Sequence, residues 1–315
     1  MKQLSTYIKD KLIINKDYSD AGLSPKSFDE LRKIIEDRYD KFGPGTKQDP
    51  IDFNDIDVSN LNSFYSSNIG KGIFQGTKFK YIDISDWDVS NIKSMRGMFY
   101  ECKELESVSD LSSWDVSNVT NMTFMFGNCR RFNQDISSWD VSNVNNMKYM
   151  FFGCENFNQN ISGWNVSSVE NMDSMFYYCK NFNQDISKWN VSKVTNMAYM
   201  FYYCKKFNQD ISKWKVSSVT DMSYMFYCCA SFNQDISSWN VSNVTDMSWM
   251  FYNCKSFNQD ISDWNVSNVT DMKYMFYRCE SFNQDISDWD VSKVKFKTYI
   301  FNNCSIKREY MPKFK

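Results

Sequence analysis

Nine cysteines recur at one position of the chain: Cys102, Cys129, Cys154, Cys179, Cys204, Cys229, Cys254, Cys279 and Cys304. Thiols at regular spacing can do metal or redox chemistry. A tetrahedral thiolate site, however, needs about four ligands at ~2.3 Å from one centre, usually from closely paired cysteines. No C-x-x-C occurs here, and one thiol at a time does not supply such a set. Regular recurrence marks instead a core position, where a free cysteine packs as a small apolar group. Cys228 stands off this ladder beside Cys229. It is expected at the surface, as the thiol most open to oxidation.

Histidine is absent. That removes Ser-His-Asp and Cys-His catalysis, the commonest general base and every histidine-containing metal site. Carboxylates remain. Asp135, Asp185, Asp210, Asp235, Asp260 and Asp285 form a column interrupted by Asn160, and a second column holds Asp140, Asn165, Asn190, Lys215, Asn240, Asn265 and Asp290. They read as a polar recognition face or as weak Ca²⁺ sites. A Ca²⁺ site needs about six to eight converging oxygens, which a column of like residues does not guarantee. The plainer reading, extended to Asn133 and Gln134, is that these side chains hydrogen-bond to backbone in bends. No catalytic residue, metal or cofactor is expected, and the chain reads as a non-enzyme. Catalysis would need paired carboxylates of displaced pKa in a pocket.

The elements that position these residues follow from a repeat. Trp114, Trp139, Trp164, Trp189, Trp214, Trp239, Trp264 and Trp289 are 25 residues apart, and Trp87 precedes Trp114 by 27. A fixed period of this size is the signature of stacked repeats, none stable alone. Met122, Met125, Phe126 and Cys129 fall at i, i+3, i+4, i+7, which predicts one face of a short helix. Thr120 or Asn121 would cap it. Trp139 and Val141 alternate with Asp140 and Ser142, which predicts a strand. Parallel strands need such a crossover, so equal residues pile up. The expected core ladder includes Trp139, Trp164, Trp189, Trp214, Trp239 and Trp264 with Cys154, Cys179 and Cys204.

With the core subtracted, an aromatic stripe remains. One column holds Phe124, Tyr149, Tyr199, Tyr224, Trp249 and Tyr274; the other holds Tyr100, Phe152, Tyr177, Tyr202, Tyr227, Tyr252 and Tyr277. On a helix both point away from the core. An exposed stripe suits carbohydrate stacking, a protein partner or self-association. Otherwise the rings pack sideways between repeats.

The flanks differ. Residues 1–49 read as a helical N-terminal segment. Leu4, Tyr7, Ile8 and Leu12 share one helical face. A second helix opens at Ser24 as N-cap with Pro25 as its first residue. Phe28, Leu31, Ile34 and Ile35 form its stripe, and Gly43-Pro44-Gly45 ends it. This segment reads as a lid over the stack, or residues 1–16 as a docking or targeting peptide. Residues 50–80 are a degenerate first repeat, 81–304 a nine-repeat array and 305–315 a basic tail. The net charge of −2 gives no field for nucleic acid and little attraction to anionic lipid. Neither a signal peptide nor a membrane span is readable. The chain is therefore expected to be cytoplasmic as encoded, with a cell surface or virion reached by another route as the alternative.

The run F-N-Q-D-I-S-x-W-[D/N]-V-S-N-V-T-[N/D]-M-x-Y-M-F-Y-x-C, over about residues 82–304, resembles the repeat of the mycoplasma-type lipoprotein family, whose members are described as surface proteins with BspA-like leucine-rich repeats. The resemblance implies a leucine-rich-repeat-like solenoid used for binding or adhesion, commonly at a cell surface. It implies no catalytic residues. Neither an export signal nor a lipid-attachment cysteine is readable near the start of this sequence, and residues 1–50 are expected to fall outside the repeat. The expectation is an α/β fold: a right-handed leucine-rich-repeat-like solenoid with one short parallel strand and one short helix per repeat. Its function is expected to be non-catalytic binding of a protein or glycan, or a structural role in a larger assembly such as a virion or homo-oligomer.

Overall fold

A computed structural model describes residues 22–314. The expected first helix, with Leu4, Tyr7, Ile8 and Leu12, and the candidate docking peptide lie outside the described residues. Helix α1 spans Phe28–Phe42. Its N-cap is Ser27, whose side chain accepts the Glu30 amide, three residues beyond the expected Ser24. The Ser27-x-x-Glu30 spacing outcompetes Ser24-Pro25, because an amide three residues on is where a capping hydroxyl reaches. Gly43, at φ 72, ends the helix. Leu31 and Ile35 are fully buried against the first coil, with Phe28 and Ile34 partly so.

Behind α1 the chain winds in coils. Strands β1 (Ile51–Asp52), β4 (Tyr81–Asp83) and β5 (Ser107–Val108) form a parallel sheet in the order β1-β4-β5, with Ile51 opposite Ile82 and Ile82 opposite Val108. A small antiparallel pair, β2 (Tyr65–Ser66) with β3 (Lys71–Gly72), lies within the first coil. Gly72 is required there, since a Cβ would come within 2.0 Å of the Gly97 carbonyl. Beyond β5 a line of single parallel bridges carries the register: Asn121, Asn146, Asn171, Asn196, Asp221, Asp246, Asp271, Phe296. The tail ends in a 3-10 turn, Arg308–Tyr310. Among the described residues no helix is long and apolar enough to cross a membrane.

Two expectations need correction. The segment Met122–Cys129 is not a helix but a ribbon of tight turns. Amides alternate in what they bind. Those of Met122, Phe124, Phe126 and Asn128 donate to Asn146, Lys148, Met150 and Phe152 of the next coil, while Met125, Gly127 and Cys129 close turns onto Met122, Phe124 and Phe126. Phe124 and Asn128 take φ of 58° and 61°, as the third residue of a type II turn does. An eight-residue helix is marginal in isolation and would use its amides internally. The ribbon spends every second amide on joining coils. The other correction concerns the strand, which lies not at Trp139–Val141 but at the one-residue bridges such as Asn146. The expected buried face survives both corrections: Met122, Met125, Phe126 and Cys129 are each 0 % exposed.

Candidate interaction surface

The ladder residues are structural. Trp139, Trp164, Trp189, Trp214, Trp239 and Trp264 are buried, and each indole N–H donates to a carbonyl of the preceding coil, from Leu111 for Trp139 to Ile236 for Trp264. The Cys154, Cys179 and Cys204 thiols donate to the Phe126, Phe151 and Phe176 carbonyls at 3.0 Å. Burial pushes all three thiols far up, away from the thiolate that metal or redox chemistry needs. Cys228 is not at the surface as expected. It is buried, with Asn253 Nδ2 of the next coil 3.5 Å from its sulfur, because its turn position is covered by the coil that follows.

The aspartate column is exposed, and its carboxylates work locally. Asp135, Asp185, Asp210, Asp235, Asp260 and Asp285 each accept the amide of the serine two residues on, at 2.9–3.0 Å. Those bonds hold Asp135, Asp185, Asp210, Asp260 and Asp285 below the usual carboxylate range. Among the described residues no group of three potential metal ligands converges.

The aromatic residues form a continuous band. Tyr177, Tyr202, Tyr227, Tyr252 and Tyr277 stack ring on ring at 4.3, 4.4, 4.5 and 5.0 Å, with planes within 3°. Beside them run Tyr199, Tyr224, Trp249 and Tyr274, at 4.5, 5.5 and 3.9 Å. Tyr149 stacks on Phe124 at 4.4 Å, and Ser174 interrupts the column between Tyr149 and Tyr199. The columns interlock, with Tyr199–Tyr202 and Tyr224–Tyr227 both at 6.0 Å. All thirteen candidate rings are half-buried. Their faces cover one another, so ring edges and hydroxyls, not faces, meet solvent.

The band also lies on the inside of a curve. Equivalent rings on successive coils are separated by the local coil-to-coil distance. That distance is 4.4 Å at Tyr202–Tyr227, 5.7 Å at Phe201–Phe226, 6.1 Å at Phe207–Phe232 and 6.5 Å at Trp214–Trp239. The coils fan outward from the tyrosines to the tryptophans, leaving the band concave and the aspartate bends with the tryptophans on the wider side.

Tyr149, Tyr199, Tyr224, Trp249 and Tyr274 all sit at φ between 57° and 59°. A large residue there costs on the order of 1–2 kcal/mol against glycine. Gly97 holds the same position in an earlier coil at φ 59. Ring-on-ring contact offsets part of that cost.

Burial also shapes the band's acid–base behaviour. It pushes the Tyr199 and Tyr227 phenols up to about 12, with Tyr224 adding for Tyr199 and Cys228 and Tyr252 for Tyr227. Tyr202, between Tyr177 and Tyr227, is pushed further. A phenol whose folded pKa is raised contributes stability that is whole below its unfolded value of about 10 and is lost as pH climbs through the folded value. Phenolate absorbance should therefore leave part of the tyrosine unionised at about pH 11 and release it together with unfolding. A single titration near pH 10, complete in the folded state, would contradict the burial of the band.

Sequence reasoning missed one set of groups beside the band. Asp221, Asp246 and Asp271 occupy the bridge positions that Asn146, Asn171 and Asn196 hold in earlier coils. Each Oδ1 accepts the amide two residues on. Burial raises Asp246, and its two like-charged neighbours raise it further against the Ser248 hydrogen bonds. Lys273 Nζ sits 2.9 Å from Asp271. The Asn-to-Asp switch at one repeat position was the available signal.

No curated protein matches the chain. A solved structure, the functional domain of InlJ from Listeria monocytogenes, whose title notes a cysteine ladder, aligns at 9% identity over 78% of this chain and 63% of its own. The chain thus spans less than two thirds of that structure, and the TM-score is 0.17. Residues 67–179, 153–248 and 209–314 match a family described as "Mycoplasma protein of unknown function, DUF285". Those three overlapping stretches cover most of the chain, which belongs to that family.

Proposed function

We propose that this chain is a non-catalytic binding protein, a right-handed leucine-rich-repeat-like solenoid of BspA-like, adhesion-type character, whose concave tyrosine band holds a protein partner. The observation that carries this reading is the placing of Tyr199, Tyr224, Trp249 and Tyr274 at positive φ, where glycine fits more easily, beside the stacked tyrosines Tyr202, Tyr227, Tyr252 and Tyr277. Strain of this kind tends to collect where a surface has work to do. Tyrosine and tryptophan are also the side chains that dominate protein interfaces. A protein is favoured over a glycan because sugar stacking needs an open ring face, and these faces are mutually covered. The polar column supports a non-catalytic role, since its carboxylates are spent on bends. The structural alternative, a subunit of a larger assembly, draws on the same band as a self-association surface.

The test compares the intact chain with a Tyr202→Ala, Tyr227→Ala double variant on a glycan array, in affinity capture and in light scattering. Removing two central interface aromatics typically weakens binding by ~2–4 kcal/mol, so a captured protein should be retained by the parent and lost by the variant. Equal capture by both would take the band out of the reading. Glycan binding that ignores the substitutions would favour the polar bends, and a concentration-dependent oligomer abolished by them would favour assembly.

A further inference from the structure

On the wider side of the curve the repeat is broken at one coil. The residue after each tryptophan is elsewhere aspartate or asparagine. Its Oδ1 accepts the amide of the serine two residues on: Asn190 from Ser192 at 3.2 Å, Asn240 from Ser242 at 3.1 Å, and likewise in the other coils from Asp88 to Asp290. After Trp214 that residue is Lys215, which has no oxygen to offer. The Ser217 amide therefore finds no acceptor among the described residues.

A hollow of about 500 Å³ opens at this coil, and its lining includes Lys213, Trp214, Lys215, Ser217, Ser238 and Asn240. Lys213 and Lys215 are exposed on either side of the buried Trp214, and neither ammonium has a hydrogen-bond or ion-pair partner among the described residues. The neighbouring Asp210 carboxylate accepts the Ser212 amide at 2.9 Å. Asn240 uses its Oδ1 on Ser242 and keeps its Nδ2 as a donor. Four donor groups are thus left over: two ammoniums, one backbone N–H and one carboxamide. The charge changes here too. Stretches 185–194 and 210–219 carry Lys188, Lys193, Lys213 and Lys215 against Asp185 and Asp210, whereas the matching stretches 135–144 and 260–269 carry two aspartates each and no lysine. Trp214 and Trp239 on successive coils are 6.5 Å apart, so a lysine one coil away acts within a Debye length of ~8 Å.

We propose that this hollow binds a phosphorylated sugar or polyol, at a site independent of the tyrosine band. A phosphate monoester carries a charge of about −1.5 to −2 and three acceptor oxygens. Two ammoniums and a freed backbone N–H complement it; a lone carboxylate, with one charge, would leave half of that unanswered. The volume lies within the range of small-molecule sites, about 300–1,000 Å³, and exceeds what a bare oxyanion fills. The Ser238 hydroxyl and Asn240 carboxamide suit the hydroxyl groups of the body that carries the phosphate. Nucleic acid fits less well, because the lysines are confined to two coils of a chain whose net charge is −2.

Isothermal titration with glucose 6-phosphate is the test, with inorganic phosphate and glucose as comparisons. Vesicles of phosphatidylcholine containing phosphatidylinositol 4-phosphate separate a lipid headgroup from a free ligand. Glucose 6-phosphate should bind at least ~10-fold more tightly than either comparison and should shift the Ser217 amide resonance. Lys215→Asn restores the residue of the neighbouring coils and its bond to Ser217, and Lys213→Ser matches Ser238. The double variant should melt no lower than the parent and bind at least ~10-fold more weakly. Lys206→Ala, which removes an exposed lysine outside the hollow, should bind as the parent does. Vesicle binding in place of glucose 6-phosphate, lost in the same double variant, would keep the site and assign its phosphate to a lipid. Inorganic phosphate bound as tightly as the sugar phosphate would mark an adventitious ion only. Absence of binding to any of these, or binding that the double variant retains, would overturn the site and leave the tyrosine band untouched.

Discussion

Replacing Trp189 by alanine should destabilise the chain by ~3–5 kcal/mol, the largest loss expected of any single substitution considered. Trp189 is 3 % exposed. Its ring lies 6.2 Å from that of Phe176, and its indole N–H reaches the Ile161 carbonyl at 3.1 Å. Truncation opens a void between two coils and takes from the buried Ile161 carbonyl one of its two donors, leaving it the Trp164 amide at 3.2 Å. Because each coil touches only its neighbours, the damage should concentrate at one junction and lower cooperativity as well as the urea midpoint. Trp189→Phe keeps most of the volume and isolates the hydrogen bond, so its loss should be smaller. Lys188→Ala, one residue away and exposed, should change stability by less than ~0.5 kcal/mol. A Trp189→Ala protein that unfolds at the parent midpoint would place the tryptophan column outside the core.

That core was legible in the residue types. Tryptophan, methionine, phenylalanine and cysteine at a fixed period describe columns, and the columns are buried where expected. The path of the backbone between them was much less legible. A spacing of i, i+3, i+4, i+7 fits a helix, but a ribbon of turns delivers the same four side chains to the same core, so periodicity does not separate the two. The residues at positive φ would have separated them had they been glycine and asparagine throughout. In this chain they include Tyr199, Tyr203, Cys228, Trp249 and Arg278, which carry no turn signal. The remaining hint was Gly97, Asn128, Gly153, Asn253 and Asn303 at the two equivalent positions. The aromatic band was legible as residues but not as a surface. Its concavity depends on coil spacing, which differs from Tyr202 to Trp214 for reasons of packing that no single repeat contains.

The same limit explains the asparagine ladder and sets its test. The column that begins at Asn133 reads from sequence as side chains bonding to backbone in the bends; the sequence does not say which backbone. At Asn133, Asn158, Asn183, Asn208, Asn233 and Asn258 it is an amide of the next coil. Asn208 Oδ1 accepts the Asn233 amide at 2.9 Å, and the Asn208 amide donates to Asn183 Oδ1 at 2.9 Å. Coil is thus joined to coil by side chain on a stretch where the backbone amides have no ribbon partner. Asn208→Ala leaves the Asn233 amide, partly buried, without its acceptor, and such a group costs ~1–3 kcal/mol. Hydrogen exchange at Asn233 should accelerate while exchange at Phe226, whose amide bonds to Met250, stays slow. Asn208→Asp retains an oxygen at the accepting position and should recover part of the loss. If neither variant changed exchange at Asn233, the ladder would be a consequence of stacking rather than a cause of it, and cohesion between coils would rest on the turn ribbon and the buried columns alone.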